Sequence, residues 1–536
     1  MKRVSTFILC VAAIATLNAK PAFRGPIEKT QPDGTTITVY QHGDEHFHWT
    51  TDARGNWLAP DIKGQYVQVP ALSEEQIANR RKASRLNAPQ AAQQATPINL
   101  APRGLIILVN FKDLSFKDEN TQEVMRAMHN DDDYTYSYSF SYYGSKMNIT
   151  AKGSAHTYFK DQSKGLYQPQ FDVIGPVTVS NDMAYYGGND SQGNDKNPEM
   201  MVKEACELAD ELGVDFSIYD NNNDGKVDFV YVIYAGYGEA DGGAANTVWP
   251  HSYHLSYAYI NLRLDGKQVD LYACGSELNF VSKKRAGIST FCHEFSHVLG
   301  LPDLYATNNS THKTSGEWDI MDYGTYNNDG NTPPAYSAYE RLFFGWAEPR
   351  VLNTYGEYAI KELQEFNDVC VITESGEFNG SGNDPQPTTF YTLENRQKKD
   401  WDRFLSGHGL MITKITYSYN KWAQNTVNNT KSAMGIDIIE ADGNTPTYSQ
   451  YDPDNGYFGK PGDLFPVGAS EYWDIPNYGL AWITDANEVI SFTLTDAQGI
   501  DDIIVSPDRT RKVFENGQVY IVRDGQKFTL LGERIE

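Results

Sequence analysis

Apolar and polar positions along the 536-residue chain change texture several times, and each change predicts a different unit. Met1-Lys2-Arg3 is a basic start, Val4 to Leu17 an apolar run, and Leu17-Asn18-Ala19 a small-residue exit. That order predicts a signal peptide over residues 1–19, cut after Ala19. The run is shorter than the roughly 20 residues that a membrane span needs. From residue 20 to about 78, short strand-like runs alternate with turns, as in Thr35 to Tyr40. A basic patch follows, Arg80-Arg81-Lys82 with Arg85 behind it. It leads into Ala88 to Pro102, whose Ala, Gln and Pro content is that of an exposed linker. Beyond it, Gly104 to Phe111 and Phe229 to Tyr234 are continuous apolar runs suited to buried central strands. Asn197 to Leu212 repeats apolar residues at helical spacing through Met201, Ala205, Leu208 and Leu212. Past residue 350 helical spacing thins out, and strand-like segments take over at Thr389–Leu393, Leu410–Ile415 and Val489–Leu494. Asn516-Gly517 and Asp524-Gly525 are strong hairpin turns separating Lys512–Glu515, Gln518–Arg523 and Lys527–Leu531.

These textures predict five parts. They are a signal peptide (1–19), a prosegment with linker (20–101), a mixed α/β core (102–350), a β-rich domain (351–500) and a β-meander tail (501–536). Composition narrows the choice of partner. The chain carries 45 basic against 70 acidic residues, a formal charge of −25. That argues against a nucleic acid or an anionic membrane surface as the main partner. Five cysteines, one of them in the signal peptide, are too few for a disulfide scaffold.

The candidate chemistry lies in Thr290 to Asp303, TFCHEFSHVLGLPD. Four helical residues turn about 400° and rise roughly 6 Å, so His293 and His297 share one face and both imidazoles can reach one Zn²⁺. Glu294 is rotated about 100° from His293 and can lean over a water as general base. Gly300 can take the left-handed conformation that ends the helix. The chain then reverses, and Asp303 offers a carboxylate as third ligand, with Glu317 and Asp319 as rivals for that role. Three protein ligands and one open position make a catalytic rather than a structural zinc site. Cys292 points off this face and is expected to pack. Downstream, WDIMDYG places Met321 in a tight turn at the distance where metzincin proteases carry the Met that floors the metal. Tyr323 is either a hydroxyl aimed at the metal or oxyanion, or a packing residue.

HEFSHVLGLPDLY followed by WDIMDYG resembles the immune inhibitor A-like secreted bacterial metalloproteases, relatives of the metzincins. The likeness runs from Gly104 through Trp346 and includes Gly238-Glu239-Ala240 and Trp249-Pro250-His251. It continues more weakly into Leu393-Glu394-Asn395-Arg396 and Gly407-His408-Gly409-Leu410. The resemblance implies an α/β (α+β) metzincin-like zinc protease core and a secreted zinc endopeptidase, made as a zymogen and acting on proteins or peptides. By position the ligands are His293, His297 and Asp303, the base Glu294, and the Met-turn residue Met321. Asp303 departs from the third His of most metzincins.

Three further motifs carry expectations of their own. Asp220, Asn222, Asp224 and Asp228, with Gly225 between, have calcium-loop spacing. Tyr231 stands where the loop's last ligand, a Glu, belongs, and a polar turn before a strand explains the same text. His42-Gly43-Asp44 resembles the Gly-Asp of astacin-type latency segments, which makes Asp44 a candidate latency switch against an ordinary β-turn. His46 and His48 alternate nearby, and His251-x-x-His254 reads as structural or substrate-lining. The tail resembles C-terminal segments of secreted proteins from Bacteroidetes-type bacteria, which address proteins to secretion machinery. The expected location is extracellular or at the cell surface. Two other functions fit the same text: an adhesion or binding protein with a vestigial core, and a zinc amidase or glycan-acting hydrolase.

Overall fold

The computed structural model describes residues 20–44, 47–73, 75–77, 79–80, 101–190, 193–308, 312–444 and 459–497, and four strand segments between 511 and 535. The signal peptide, His46, most of the linker and the turn dipeptides 516–517 and 524–525 lie outside these residues. So do Arg81, Lys82 and Arg85.

The apolar runs form a central sheet of β1 (Arg103–Asn110), β2 (Gln170–Thr178), β3 (Val230–Tyr237), β4 (His251–His254) and β5 (Leu271–Leu278), in the order β4-β5-β3-β1-β2. Four of these strands are parallel, and the edge strand β4 is antiparallel to β5. Both faces of the sheet are covered, which is why β1 and β3 read as unbroken apolar text. Alternate residues part to opposite sides. Leu105, Ile107, Val109, Val230, Val232 and Tyr234 pack with Met201, Val202 and Ala205 of helix α2 (Pro198–Glu211). Ile106, Leu108, Tyr231 and Ile233 pack with Met125 and Met128 of helix α1 (Gln122–Asn130) and Phe291, Cys292 and Phe295 of helix α3 (Ser289–Val298). Leu212, counted in the apolar face of the second helix, is its C-cap and is exposed.

The N-terminal segment folds as a five-stranded antiparallel meander from Ile27–Thr30 to Tyr66–Gln68. Its second strand, Thr36–Asp44, runs four residues beyond the apolar text. Gln41, His42, Gly43 and Asp44 are buried there.

Beyond the core, two sheets pack face to face around Leu393, Ile412, Leu480, Ile490 and Phe492. The joint with the core is ionic. Arg396 places its guanidinium on Asp402 at 2.6 Å and on Glu394 at 3.0 Å, with all three side chains fully buried. Glu394 and Asp402 also accept from the amides of Ala338 and Ala335, at the entrance to helix α4 (Ala338–Phe343). The tail segments 511–515, 518–523, 526–529 and 534–535 pair as one antiparallel ribbon.

Candidate metal centre and its cleft

Helix α3 is buried along its length, and its two sides do different work. Phe291, Cys292, Phe295 and Val298 join the core, while His293, Glu294 and His297 turn toward the cleft. The helix ends in a Schellman motif. Leu301 N–H donates to Ser296 O at 3.0 Å and Gly300 N–H to His297 O at 2.9 Å, with Gly300 at φ +104°. Glycine is the residue for which that conformation carries no steric cost. The reversal brings Asp303 back under the helix. Its Oδ1 lies 3.3 Å from His293 Nε2 and 3.2 Å from His297 Nε2, and the two Nε2 atoms are 3.2 Å apart.

Each imidazole is oriented by its other nitrogen. His293 Nδ1 donates to Ile320 O at 2.8 Å and His297 Nδ1 to Leu301 O at 2.7 Å. A carbonyl only accepts, so both protons sit on Nδ1 and both Nε2 atoms present lone pairs. Three buried acceptors thus face one another with no proton between them. A triangle with edges near 3.3 Å is what a tetrahedral cation with ligands at about 2.0–2.1 Å requires, so the residues present fit a zinc ion. Burial pushes the His293 pKa down and favours its neutral form. Burial would raise Asp303, but positive charge at the His297 and His293 imidazoles, when either Nε2 is protonated, holds it well below the usual carboxylate range. Glu294 sits beside this set, within 4.8 Å of the histidine ligand atoms, and burial and then Asp303 push its pKa well up.

The rival carboxylates are engaged elsewhere. Glu317 accepts from Ser406 N–H at 2.6 Å, and Asp319 from Met321 N–H at 2.8 Å. Asp319 is buried, and that burial pushes its pKa up to about 6. The turn at Met321 is also held through its carbonyl, which accepts from Leu304 N–H at 2.8 Å. Met321 is fully buried, and its neighbour Ile320 holds His293. Tyr323 packs with Tyr305 and Tyr326, and the Arg24 guanidinium stands 4.8 Å over its ring.

Two residues at the centre carry no local signal in the sequence. Asn425, 122 residues beyond Asp303, accepts from Asp303 N–H at 2.7 Å and donates from Nδ2 to Asp303 Oδ2 at 2.5 Å. Lys20 places its backbone nitrogen 3.1 Å from Glu294 Oε1. Asp44 ends the second meander strand, and its Oδ1 accepts from Phe47 N–H at 3.3 Å. His48 pairs with Glu239 at 3.2 Å and stacks on Trp249. His251 is satisfied by Trp249 O and Tyr272 hydroxyl, and His254 by Asp270.

At the acidic loop, Asp220 Oδ2 receives the Lys267 ammonium at 2.6 Å. Its oxygens also accept from the amides of Asp224 and Gly225. Asn222 Oδ1 accepts from Asp224 N–H, and Asp228 turns to Asn221. The Lys267 ammonium thus sits on one of the oxygens that the spacing offers to a calcium ion. The mature cysteines Cys206, Cys274, Cys292 and Cys370 are free and buried.

Comparison with known proteins covers the region that holds these residues. Residues 99–347 match the model of the immune inhibitor A peptidase M6 catalytic domain. Immune inhibitor A of Bacillus thuringiensis subsp. alesti is 27% identical over 271 residues, covering 45% of this chain and 39% of that protein. The pre-pro-metalloprotease PrtV of Vibrio cholerae serotype O1 (strain M66-2) is 26% identical over 268 residues, covering 45% of this chain and 29% of that protein. The chain therefore spans well under half the length of these curated relatives. Within those limits, residues 99–347 are similar to the peptidase M6 catalytic domain of the immune inhibitor A type.

Proposed function

We propose that the chain is a secreted, zinc-dependent endopeptidase made as a zymogen. The observation that carries this is the triangle of His293, His297 and Asp303 with Glu294 beside it. When bound, zinc supplies Lewis-acid polarisation of a peptide carbonyl and acidification of a water. The protein's own residues do the rest. Glu294 takes a proton from the attacking water and passes it to the leaving amine. Ile320 O and Leu301 O keep both imidazoles in the ligating tautomer, and the helix α3 reversal at Gly300 holds Asp303 in place.

The zymogen reading rests on the N-terminal segment lying in this cleft, with Lys20 against Glu294. The designation of the Vibrio relative as a pre-pro-metalloprotease supports it. Cleavage in the basic stretch from Arg80 to Arg85 would detach the segment. Among the described residues no helix is long and apolar enough to cross a membrane. We further propose that the antiparallel tail ribbon is read by secretion machinery. The test is Glu294→Gln in the protein nicked at the linker. Caseinolysis should fall about 10²–10⁴-fold while zinc content is unchanged. Full activity in that variant would overturn the proposal.

A further inference from the structure

The cleft already holds one peptide, the protein's own N-terminal segment, and its pose says what else the cleft accepts. Lys20 is 3% exposed although it is a lysine. Its ammonium lies 2.6 Å from Asp241 and 3.2 Å from the Thr290 hydroxyl, and sits over the Tyr326 ring, 4.6 Å from its centroid. Thr290 belongs to helix α3, one turn before Glu294. Asp241 follows the Gly238-Glu239-Ala240 stretch after β3. The chain leaving Lys20 is also held as a bound peptide is held. Tyr326 hydroxyl donates to Pro21 O at 2.6 Å, and Phe23 N–H donates to Ala240 O at 2.8 Å.

The decisive contact is backbone. Peptide hydrolysis breaks the C–N bond, adds the water's hydroxyl to the carbonyl carbon, and delivers a proton to the nitrogen of the following residue. The general base hands over that proton, so the nitrogen nearest to it in a product complex belongs to the residue just after the cut. Here that nitrogen is Lys20 N, 3.1 Å from Glu294 Oε1. With the signal peptide removed after Ala19, it is a free amine. The segment is therefore bound as a cleavage product, with Lys20 as its new first residue.

We infer that the pocket of Asp241, Thr290 and Tyr326 is the subsite for the residue following the scissile bond, and that it selects lysine, with arginine second. A carboxylate at the end of a buried, aromatic-walled slot binds an extended cation far better than a neutral side chain. Left empty of cations, it keeps a buried charge unpaired. Glu239, paired with His48 in the precursor, adds a second acidic group to the same cleft once the segment departs. This inference rests on the endopeptidase reading and names the substrates for it: peptides with a basic residue on the leaving-amine side.

The test uses the full chain nicked at the linker and freed of its N-terminal segment, acting on a mixed proteome digest. New N-termini are sequenced by mass spectrometry. Lysine should be enriched there at least fivefold over its input frequency. In paired fluorogenic peptides, Asp241→Asn should lower the lysine-to-leucine ratio of kcat/KM at least tenfold. A synthetic peptide of residues 20–25 should inhibit competitively, and acetylating its amine or replacing its lysine by leucine should weaken it at least tenfold. Abundant cleavage with no basic residue enriched after the cut would overturn the subsite assignment and leave the protease standing. No cleavage of any protein would overturn the endopeptidase reading itself.

Discussion

Replacing Asn425 by glycine should cost metal affinity more than its distance in sequence suggests. Asn425 makes two bonds to one residue, accepting the amide hydrogen of Asp303 and donating to its Oδ2. The second is charge-assisted, and both are buried. A hydrogen bond to a charged group contributes about 1.5–3 kcal/mol. Its loss frees the Asp303 carboxylate to rotate away from the two imidazoles. An outer partner of a metal ligand typically contributes 10–100-fold in affinity, and tenfold corresponds to about 1.4 kcal/mol, so the two scales agree. Glycine is the right substitution because Asn425 has φ +51°, where an alanine would add about 1–2 kcal/mol of backbone strain. Zinc affinity is read by chelator competition on the full chain, alongside Tm with and without metal. The expected result is a 10–100-fold weaker zinc Kd, with a folded protein of lower Tm. Asn428→Gly is the control. Asn428 is equally buried and bonds Leu304 O and the amides of Gly435 and Ile436, but touches no ligand. It should lower Tm and leave zinc affinity alone. If Asn425→Gly behaves like that control, the clamp on Asp303 is structural only and the reasoning fails.

Two further outcomes test the electrostatics away from the metal. Burial pushes Asp437 up to about 6, against the pull of Lys414, so the folded protein holds this proton after the unfolded chain has released it. Its folded state is thereby favoured at low pH and loses stability as pH rises from about 4 to about 6. Asp437→Asn should remove that slope, gaining on the parent across this window in denaturant melts; an unchanged difference would refute the assignment. At the acidic loop, the Lys267 ammonium already neutralises Asp220. Calcium should therefore move the Tm of the unaltered protein by less than about 1 °C, whereas Lys267→Met should lower Tm and make it calcium-responsive. Calcium protection in the unaltered protein, abolished in an Asp220→Ala, Asp224→Ala double variant, would put the ion in the loop instead.

What could be read in advance was what the chain does within a few residues. His293, Glu294 and His297 follow from helical spacing, and the turn at Gly300 that returns Asp303 follows from the need for a left-handed residue. The strand at Thr389 was legible only as far as Leu393, although it runs to Arg396. Glu394, Asn395 and Arg396 read as the polar end of a strand, yet they are fully buried because their charges and amides are paired inside. The last residues of the second meander strand were hidden too, since His42 is buried on Thr51 and Trp49 and Asp44 on Phe47 of the strand that follows. Asn425 and the slot for Lys20 depend on how distant segments register in space, and no periodicity encodes that.

Arg396, Glu394 and Asp402 set how the cleft can open. Charges with no water around them do not tolerate half-separation, since parting one from its counterion leaves it unpaired at a cost of about 3–5 kcal/mol. The wall on the C-terminal side is therefore fixed to helix α4, even though the family boundary falls at residue 347, before that wall begins. The N-terminal segment is held instead by separate contacts: Ala22 packs with Ala240 and Trp249, Phe23 against Tyr326, His48 on Trp249, and Lys20 pairs with Asp241. Entry to the cleft is one-sided. On the proposed function, substrate enters where the N-terminal segment leaves, while the wall paired to helix α4 stays in place.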